Sequence, residues 1–255
     1  MTGGNAIDLS GQVAVVTGGT RGLGRDIAAA LAAAGCAVVV CGRSAPDDLP
    51  DGVSFIAADI RDPDQARALV DQTVAAHGRL DILVNNAGGS PAADAATASP
   101  RFFDSILKLN LHAPMYMAQA AYPHMVAAGG GSVINIASVS GIRPSPGTAA
   151  YGAAKAGLLN LTQSLAQEWG PQGVRVNAII AGLMQTETAE STYGDAAAQA
   201  AVGRSMPLQR MGTGLDIAGA VLWLCSDLAS WVSGARINVD GGGERPYFLD
   251  LVKGN

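Results

Sequence analysis

Residues 13–24, which read VAVVTGGTRGLG, decide the fold of this chain. The apolar run at 13–16 predicts a buried strand, and the Ala- and Leu-rich pattern at 22–34 predicts a helix directly after it. Glycines in the turn between them permit a tight bend and a close approach of the backbone to a phosphate. Because a helix N-terminus presents free N–H groups and the positive end of its dipole, this unit predicts a site for a dinucleotide pyrophosphate.

Short apolar runs alternate with helical stretches along the rest of the 255 residues. The further predicted strands are 37–41, 53–56, 82–84, 133–136, 174–178 and 236–239, and the further predicted helices are 64–77, 101–127, 151–169 and 214–227. Most strands are apolar throughout, which is typical of a parallel sheet covered on both faces. We therefore expect an α/β single-domain Rossmann fold, with a doubly wound seven-stranded parallel sheet and helices on both faces.

Composition excludes several classes of function. The net charge of −5 and the absence of a basic run argue against a nucleic-acid partner. Residues 1–12 have neither a basic start nor an apolar core, so they predict no signal peptide. The uncharged stretch 27–42 is shorter than a membrane span, and Gly35 divides it into a helix pattern and a strand pattern. We expect a cytoplasmic protein with no membrane partner.

Cysteines and histidines give no sign of a metal site. No two cysteines form a CxxC pair, which predicts buried apolar thiols in a reducing compartment, and the histidines lack ligand spacing. The residues concerned are Cys36, Cys41, Cys225, His77, His112 and His124.

The end of the second predicted strand bears on the choice of dinucleotide. Gly42 stands where a carboxylate would accept hydrogen bonds from a free ribose 2′-hydroxyl and repel a 2′-phosphate. Arg43 offers a planar set of donors suited to that phosphate, and Arg21 can approach the same side. Both arginines could instead be solvated loop charges, and Asp47 and Asp48 lie nearby. We expect NADP(H) to be preferred, with NAD(H) possible.

A second group of polar residues follows the later strands. Asn85-Asn86-Ala87-Gly88 closes the fourth strand, Asn110 lies in a helix pattern, Ser138 follows the fifth strand, and Tyr151-Gly-Ala-Ala-Lys155 opens the next helix. Together with the TGxxxGxG turn at 17–24, residues in this order resemble the short-chain dehydrogenase/reductase family. The resemblance implies an oxidoreductase that moves a hydride between a nicotinamide dinucleotide and a carbonyl or alcohol.

The resemblance, which runs from about residue 8 to residue 242, implies four catalytic residues. Tyr151 matches the general acid/base, and Lys155 matches the lysine that lowers its pKa and holds the nicotinamide ribose. Ser138 matches the serine that binds the reacting oxygen, and Asn110 matches the asparagine that supports a water-mediated proton relay. The roles of Tyr151 and Lys155 are chemically consistent, because residues four apart share one face of a helix. A nearby ammonium favours the phenolate of a tyrosine, whose ordinary pKa is about 10.

The resemblance also implies contacts to cofactor and substrate. The expected cofactor-binding residues are Gly18, Thr20, Arg21, Gly22, Leu23, Gly24, Arg43, Ser44, Asp59, Ile60, Asn86, Ala87, Gly88, Tyr151, Lys155, Gly182, Met184 and Thr186. The expected substrate-binding residues are Ser138, Tyr151, Met184 and Tyr193. The family usually has Pro-Gly where this chain has Ala181-Gly182, so we expect a looser turn entering the lid.

The remaining boundaries concern the ends of the chain and the lid. We expect a short N-terminal arm at 1–9, a substrate lid at about 183–205 and a C-terminal tail at 243–255. The lid carries acidic residues, among them Glu187, which mildly disfavour a strongly anionic substrate. The family is commonly dimeric or tetrameric, and the apolar tail segment 247–251 should be covered by another subunit, so we expect a homotetramer.

The substrate itself is left open between alternatives. The favoured reading is an enzyme for ketones or secondary alcohols. A 3-oxoacyl-acyl-carrier-protein reductase is the alternative, although Gly129-Gly130-Gly131 and Pro171-Gln172 lack the basic residues that carrier docking uses. A dinucleotide sensor without turnover is the third reading, and the presence of all four catalytic residues disfavours it.

Overall fold

Seven parallel strands form the central sheet of the computed structural model. In chain order they are β1 (Val13–Thr17), β2 (Ala37–Gly42), β3 (Val53–Ala57), β4 (Ile82–Asn85), β5 (Gly131–Ser138), β6 (Val174–Ala181) and β7 (Arg236–Val239). Their spatial order is β3-β2-β1-β4-β5-β6-β7, and each neighbouring pair is parallel. This order, which reverses between β1 and β4, confirms the predicted doubly wound α/β fold.

The structure describes residues 7–187, 189–246 and 248–252, without the side chains of Leu249 and Asp250. The helices are α1 (Gly22–Ala33), α2 (Pro63–His77), α3 (Pro100–Leu107), α4 (Ala113–Ala127), α5 (Ala149–Trp169), α6 (Ala189–Tyr193), α7 (Ala196–Ser205), α8 (Gly214–Cys225) and α9 (Phe248–Leu251). Most of the expected N-terminal arm, and Tyr247 with residues 253–255 of the expected tail, lie outside the described residues. Among the helices described, none is long and apolar enough to cross a membrane.

The apolar strands are buried because helices cover both faces of the sheet. Side chains alternate along β1, so Val16 belongs to the core under α1 and α8, while Val15 belongs to the core under α2, α4 and α5. Both valines are fully buried, and each such burial stabilises the fold by about 1.5–3 kcal/mol. A strand buried on both sides cannot alternate between apolar and polar residues, which explains the pattern in the sequence.

Two parts of the chain differ from the prediction. The single helix expected at 101–127 is divided by a π-helical segment, Lys108–His112, between α3 and α4. Apolar periodicity continues through one extra residue in a turn, so it does not reveal such a segment. The lid contains two helices, α6 and α7, where none was predicted, because this Ala-rich region lacks an apolar stripe.

The sheet brings the predicted functional residues to one edge. Thr17, Asn85 and Ser138 are the last residues of β1, β4 and β5, and each stands at the carboxyl end of its strand. Because all strands are parallel, these ends lie side by side, with α1, α5 and the lid arranged around them. The candidate site therefore lies where a doubly wound sheet binds its ligands.

Candidate active site

The glycine-rich turn is packed too tightly for a side chain at Gly19 or Gly24. A Cβ at Gly24 would lie 2.3 Å from the carbonyl oxygen of Gly18, and a Cβ at Gly19 would lie 2.4 Å from Cγ1 of Val40. Gly18 has φ of +63°, which favours glycine. The turn is thereby held against β2, and the first N–H groups of α1 face the carboxyl edge of the sheet.

A buried threonine joins the turn to the end of β4. The Thr17 hydroxyl accepts hydrogen bonds from the backbone N–H groups of Asn86 and Ala87, both at 3.0 Å. The Asn86 side-chain amide donates to the carbonyl oxygens of Thr17 (3.0 Å) and Gly18 (3.2 Å). Sequence reasoning assigned Asn86 and Ala87 to the cofactor and missed Thr17, for which the only signal was its place just before the glycines.

The residues expected to read the adenosine ribose lie at the end of β2. Arg43 and Ser44 are exposed, and Thr20 of the glycine-rich turn lies beside Gly42. Asp48 accepts a hydrogen bond from Nη2 of Arg25 at 2.6 Å, so its charge is paired with α1.

Asp59 is held by a neighbour that the sequence did not suggest. Arg61 donates to its carboxylate through Nε (2.8 Å) and Nη2 (2.5 Å). These bonds are the main cause of a lowered Asp59 pKa, to which the more distant charge of Arg43 also contributes. Ile60 is buried beside them. Arg43 and the Asp59–Arg61 pair therefore border the same side of the cleft.

Lys155 and Asn110 meet across the loop after β4. Asn110, fully buried in the π-helical segment, accepts from the N–H of Gly89 (2.9 Å) and donates to its carbonyl oxygen (3.0 Å). Lys155 Nζ donates to the carbonyl oxygen of Ile136 at 2.7 Å. A Cβ at Gly88 would lie 2.7 Å from Oδ1 of Asn110 and 3.2 Å from Nζ of Lys155. The small loop thus lets both polar groups approach one point.

Tyr151 and Ser138 face each other across the start of α5. Tyr151 is partly buried, and its ring centroid lies 5.5 Å from Nζ of Lys155. Burial raises the pKa of Tyr151, a hydrogen bond with Ser138 opposes that rise, and the phenol of Tyr193 adds to it. Burial also lowers the pKa of Lys155 to about 8. In the protein alone, removal from water thus disfavours the charged forms of both Tyr151 and Lys155.

The loop between β5 and α5 fixes Ser138. The Ser138 hydroxyl accepts from the N–H of Ser140 at 3.2 Å, and Ser145 donates to the Ser140 hydroxyl at 3.0 Å. A Cβ at Gly141 would lie 2.8 Å from the carbonyl carbon of Lys155, so the loop lies flat on α5. These supporting residues were not predicted, since their role depends on contacts across the loop.

The lid begins where β6 ends. Gly182 donates its N–H to the carbonyl oxygen of Val239 at 3.0 Å, and a Cβ there would lie 2.6 Å from Cα of Asp240. Met184 is buried and packs against Gly212, so its side chain lies at the base of the lid. The carbonyl oxygen of Thr186 accepts from the N–H of Ala189 at 2.9 Å. This base anchors α6.

Tyr193 of α6 reaches back toward the site. Its hydroxyl is hydrogen-bonded to the backbone N–H of Met184, and its pKa is raised chiefly by burial. Arg143 and Glu244 form an ion pair whose charges also act on that pKa, Glu244 raising it and Arg143 lowering it. Neither residue was predicted, although both border the cleft beside Tyr193. An ion pair therefore lies beside the expected substrate position.

Glu187 does not lie on the substrate side of the lid. Its Oε1 accepts a hydrogen bond of 2.6 Å from the N–H of Gly22, the first residue of α1. The acidic character expected of the substrate wall is correspondingly reduced, and an anionic substrate is not disfavoured by this carboxylate.

Several features of this edge are those of a dinucleotide-binding fold. Gly22 and Gly24 leave backbone without side chains at the N-terminus of α1, and Lys155 Nζ bonds to Ile136 of β5. Among the described residues, no cluster of His, Cys, Asp or Glu could hold a metal ion. Fold and site together define a dinucleotide-dependent oxidoreductase.

Comparisons with known proteins give the family. A family model described as enoyl-(acyl carrier protein) reductase matches residues 18–244. The 2-dehydro-3-deoxy-D-gluconate 5-dehydrogenase of Escherichia coli is 37% identical, over 93% of this chain and 97% of the relative. A 3-oxoacyl-acyl-carrier-protein reductase of Chlamydia muridarum is 34% identical, over 92% and 98%. The solved aldohexose dehydrogenase of Thermoplasma acidophilum is 30% identical, with a TM-score of 0.88 over 92% of this chain and 95% of that one.

The chain belongs to the short-chain dehydrogenase/reductase family. It is accordingly an NAD(P)-dependent oxidoreductase.

Proposed function

We propose that this protein transfers a hydride between NADP(H) and a ketone or secondary alcohol, with Tyr151 as the general acid/base. The observation that carries the proposal is the partly buried Tyr151 phenol, hydrogen-bonded with Ser138 and 5.5 Å by its ring centroid from the Lys155 ammonium. When bound, the reduced nicotinamide supplies the hydride. Ser138 holds the carbonyl oxygen, and the Tyr151 hydroxyl gives that oxygen its proton.

Lys155 and Asn110 support the proton transfer. The Lys155 ammonium stabilises the phenolate that Tyr151 becomes and holds the nicotinamide ribose. Asn110, already bonded through both side-chain atoms to Gly89, fixes the loop that borders Lys155 and would support a relay through water. Met184 and Thr186 complete the nicotinamide side, and Tyr193 lies against the substrate.

The substrate class is tested by turnover. Purified protein with NADPH should reduce at least one member of a panel of ketones, 3-oxoacyl thioesters, sugars and steroids. Oxidation of NADPH, followed by absorbance, is the measurement. No turnover with any member, by protein that binds NADPH, would favour a dinucleotide sensor and overturn the proposal.

A 3-oxoacyl-acyl-carrier-protein reductase is the second candidate. It is favoured by the Chlamydia relative of that name and by a Streptomyces violaceoruber protein named as ketoacyl reductase 2 of the granaticin polyketide synthase, 39% identical over 90% of this chain. Against it, residues 129–131 and 171–172 carry no basic side chain for a carrier protein. A kcat/KM for 3-oxoacyl thioesters well above that for simple ketones and sugars would select this candidate.

We propose a preference for NADP(H) over NAD(H), which rests on the end of β2. Gly42 offers no carboxylate, and Asp48, which could have opposed a phosphate, is paired with Arg25. Arg43 is exposed on the side that Asp59 borders, and Arg21 caps α1 from the same turn. Charge-assisted bonds from these arginines are worth about 1.5–3 kcal/mol each before a discount for their exposure.

Wild-type protein should favour NADPH over NADH by about tenfold in kcat/KM, and the double variant Gly42→Asp with Arg43→Ala should reverse the preference. The aspartate fits, because a Cβ at Gly42 would lie 3.6 Å from Cγ2 of Thr20, an ordinary contact. Arg67→Ala, which removes an exposed arginine from α2, is the matched control and should leave the ratio unchanged. A wild type that favours NADH would show that Arg43 makes no contact with the phosphate.

We propose a homotetramer in the cytoplasm. Large apolar side chains are exposed on the described chain, among them Trp231 (99% exposed) and Phe248 of α9 (61%), and such surface is normally covered by a partner. All three cysteines are buried free thiols, which suits a reducing compartment. Light scattering at micromolar concentration should give about four times the 25.7 kDa of one chain, and a monomer would contradict the tetramer.

A further inference from the structure

A carboxylate from the lid, that of Glu187, lies at the N-terminus of helix α1. The capping residue Arg21 makes no side-chain capping bond, and no acidic residue lies in the first turn. Instead, Glu187 Oε1, 165 residues along the chain, accepts from the N–H of Gly22 at 2.6 Å. Its Oε2 lies so close that a Cβ at Gly22 would be 2.9 Å away.

The same N–H groups are those that a dinucleotide pyrophosphate requires. In the glycine-rich turn and at the N-terminus of α1, Gly18, Gly22 and Gly24 present backbone without side chains. A carboxylate and a pyrophosphate cannot both accept from Gly22 at hydrogen-bond distance. The two anions would also repel each other at this short separation.

The surroundings of Glu187 add to this conflict. Asp26 lies one turn further along α1, close enough for the Glu187 carboxylate to act on its pKa, which burial chiefly raises. Two acids, Glu187 and Asp26, thus lie near the start of α1. The Glu187 carboxylate is bound to the N–H of Gly22 by a charge-assisted hydrogen bond.

We infer that Glu187 is an affinity-determining residue of the cofactor site: its carboxylate competes with the dinucleotide pyrophosphate for the N-terminus of α1. Binding of the cofactor requires Glu187 to leave Gly22, so part of the favourable interaction at the helix N-terminus is offset by the loss of this bond. The inference rests on the proposed cofactor site. It assigns the lid a second task, which is to keep the affinity for the dinucleotide below what the glycine-rich turn alone would supply.

The test is calorimetric titration of the purified full-length protein with NADPH. Glu187→Gln should lower the Kd by about three- to tenfold. The negative charge of Glu187 opposes binding of the pyrophosphate, and the effect is modest because water screens this exposed carboxylate. Glu190→Gln, which removes an exposed acid three residues further along the lid, is the matched control and should leave the Kd unchanged. Adenosine 2′-monophosphate, which lacks the pyrophosphate, should bind both variants as it binds the wild type.

Ionic strength provides a readout that a purely structural role would not move. The difference in Kd between wild type and Glu187→Gln should shrink at high salt, where charges are screened. Glu187→Ala should tighten binding in the same direction, which keeps the test available if the glutamine variant folds poorly. An unchanged or weaker affinity for NADPH in both variants would overturn the inference, while a wild type that binds no NADPH would instead overturn the proposed cofactor site.

Discussion

Replacing Tyr151 by phenylalanine should lower kcat for ketone reduction by at least ~10²-fold and leave the Kd for NADPH nearly unchanged. The variant removes the proposed proton donor, and general acid/base catalysis contributes about 10²–10⁴-fold. The ring itself stays, so its contact with the Lys155 ammonium, 5.5 Å from the centroid, is preserved. The measurement is steady-state kinetics beside calorimetric titration of the cofactor.

The control for this variant is Tyr116→Phe, which removes a phenol from α4 outside the site and should leave kcat unchanged. The pH dependence provides a second check. Because burial raises the pKa of Tyr151, the phenol form persists through neutral pH, so reduction should stay constant there and fall only in alkaline solution. A near-normal kcat for Tyr151→Phe would remove this residue from the mechanism.

Replacing Lys155 by methionine should abolish turnover and stabilise the cofactor-free fold at the same time. The expected loss in kcat/KM is at least ~10²-fold, because the ammonium is proposed both to stabilise the phenolate and to hold the cofactor. Burial lowers the pKa of Lys155 from 10.5 to about 8, so the charged form costs the fold up to about 3 kcal/mol at neutral pH. Methionine avoids this cost but loses the bond to Ile136, which leaves a net gain of about 1–2 kcal/mol.

The destabilisation that the buried Lys155 ammonium causes should depend on pH. A lysine whose folded pKa lies below its unfolded pKa destabilises the fold fully below pH 8, and the penalty disappears as pH rises from about 8 to 10.5. The free energy of unfolding of wild type should therefore approach that of Lys155→Met across this window. Chemical denaturation without cofactor is the measurement, with exposed Lys108→Met as the control. A variant less stable than wild type at pH 7 would show that the bond to Ile136 outweighs the burial of charge.

Much of the fold follows from local pattern. Residues 13–24 contain a strand, a turn and a helix start that depend on neighbours in sequence, because glycine φ values and apolar runs are local properties. Strand β1 is apolar at every position from 13 to 16, and only a sheet covered on both faces buries such a run. The pair Tyr151 and Lys155 is equally local, since α-helix geometry places residues four apart on one face.

The support of the site follows from contacts between distant segments. Thr17 bonds to Asn86 across 69 positions, and Asn110 reaches Gly89 only because a π-helical segment turns it inward. No periodicity in the sequence encodes either contact. The family resemblance named Asn86 and Asn110, but only the packed sheet edge explains what holds them there.

The pKa values and charge contacts of the site depend on the tertiary structure more than its other features do. The spacing of Tyr151 and Lys155 carries no information on burial, which in the folded protein raises the pKa of the tyrosine and lowers that of the lysine. From the sequence, Glu187 was expected to add negative charge to the substrate wall. In the structure its carboxylate accepts a hydrogen bond from the N–H of Gly22 instead. Neighbours in sequence specify which residues meet along a helix or within a turn, because backbone geometry is local. The tertiary structure decided which charges meet and how much water they keep, because solvent exclusion is a property of everything packed around a group.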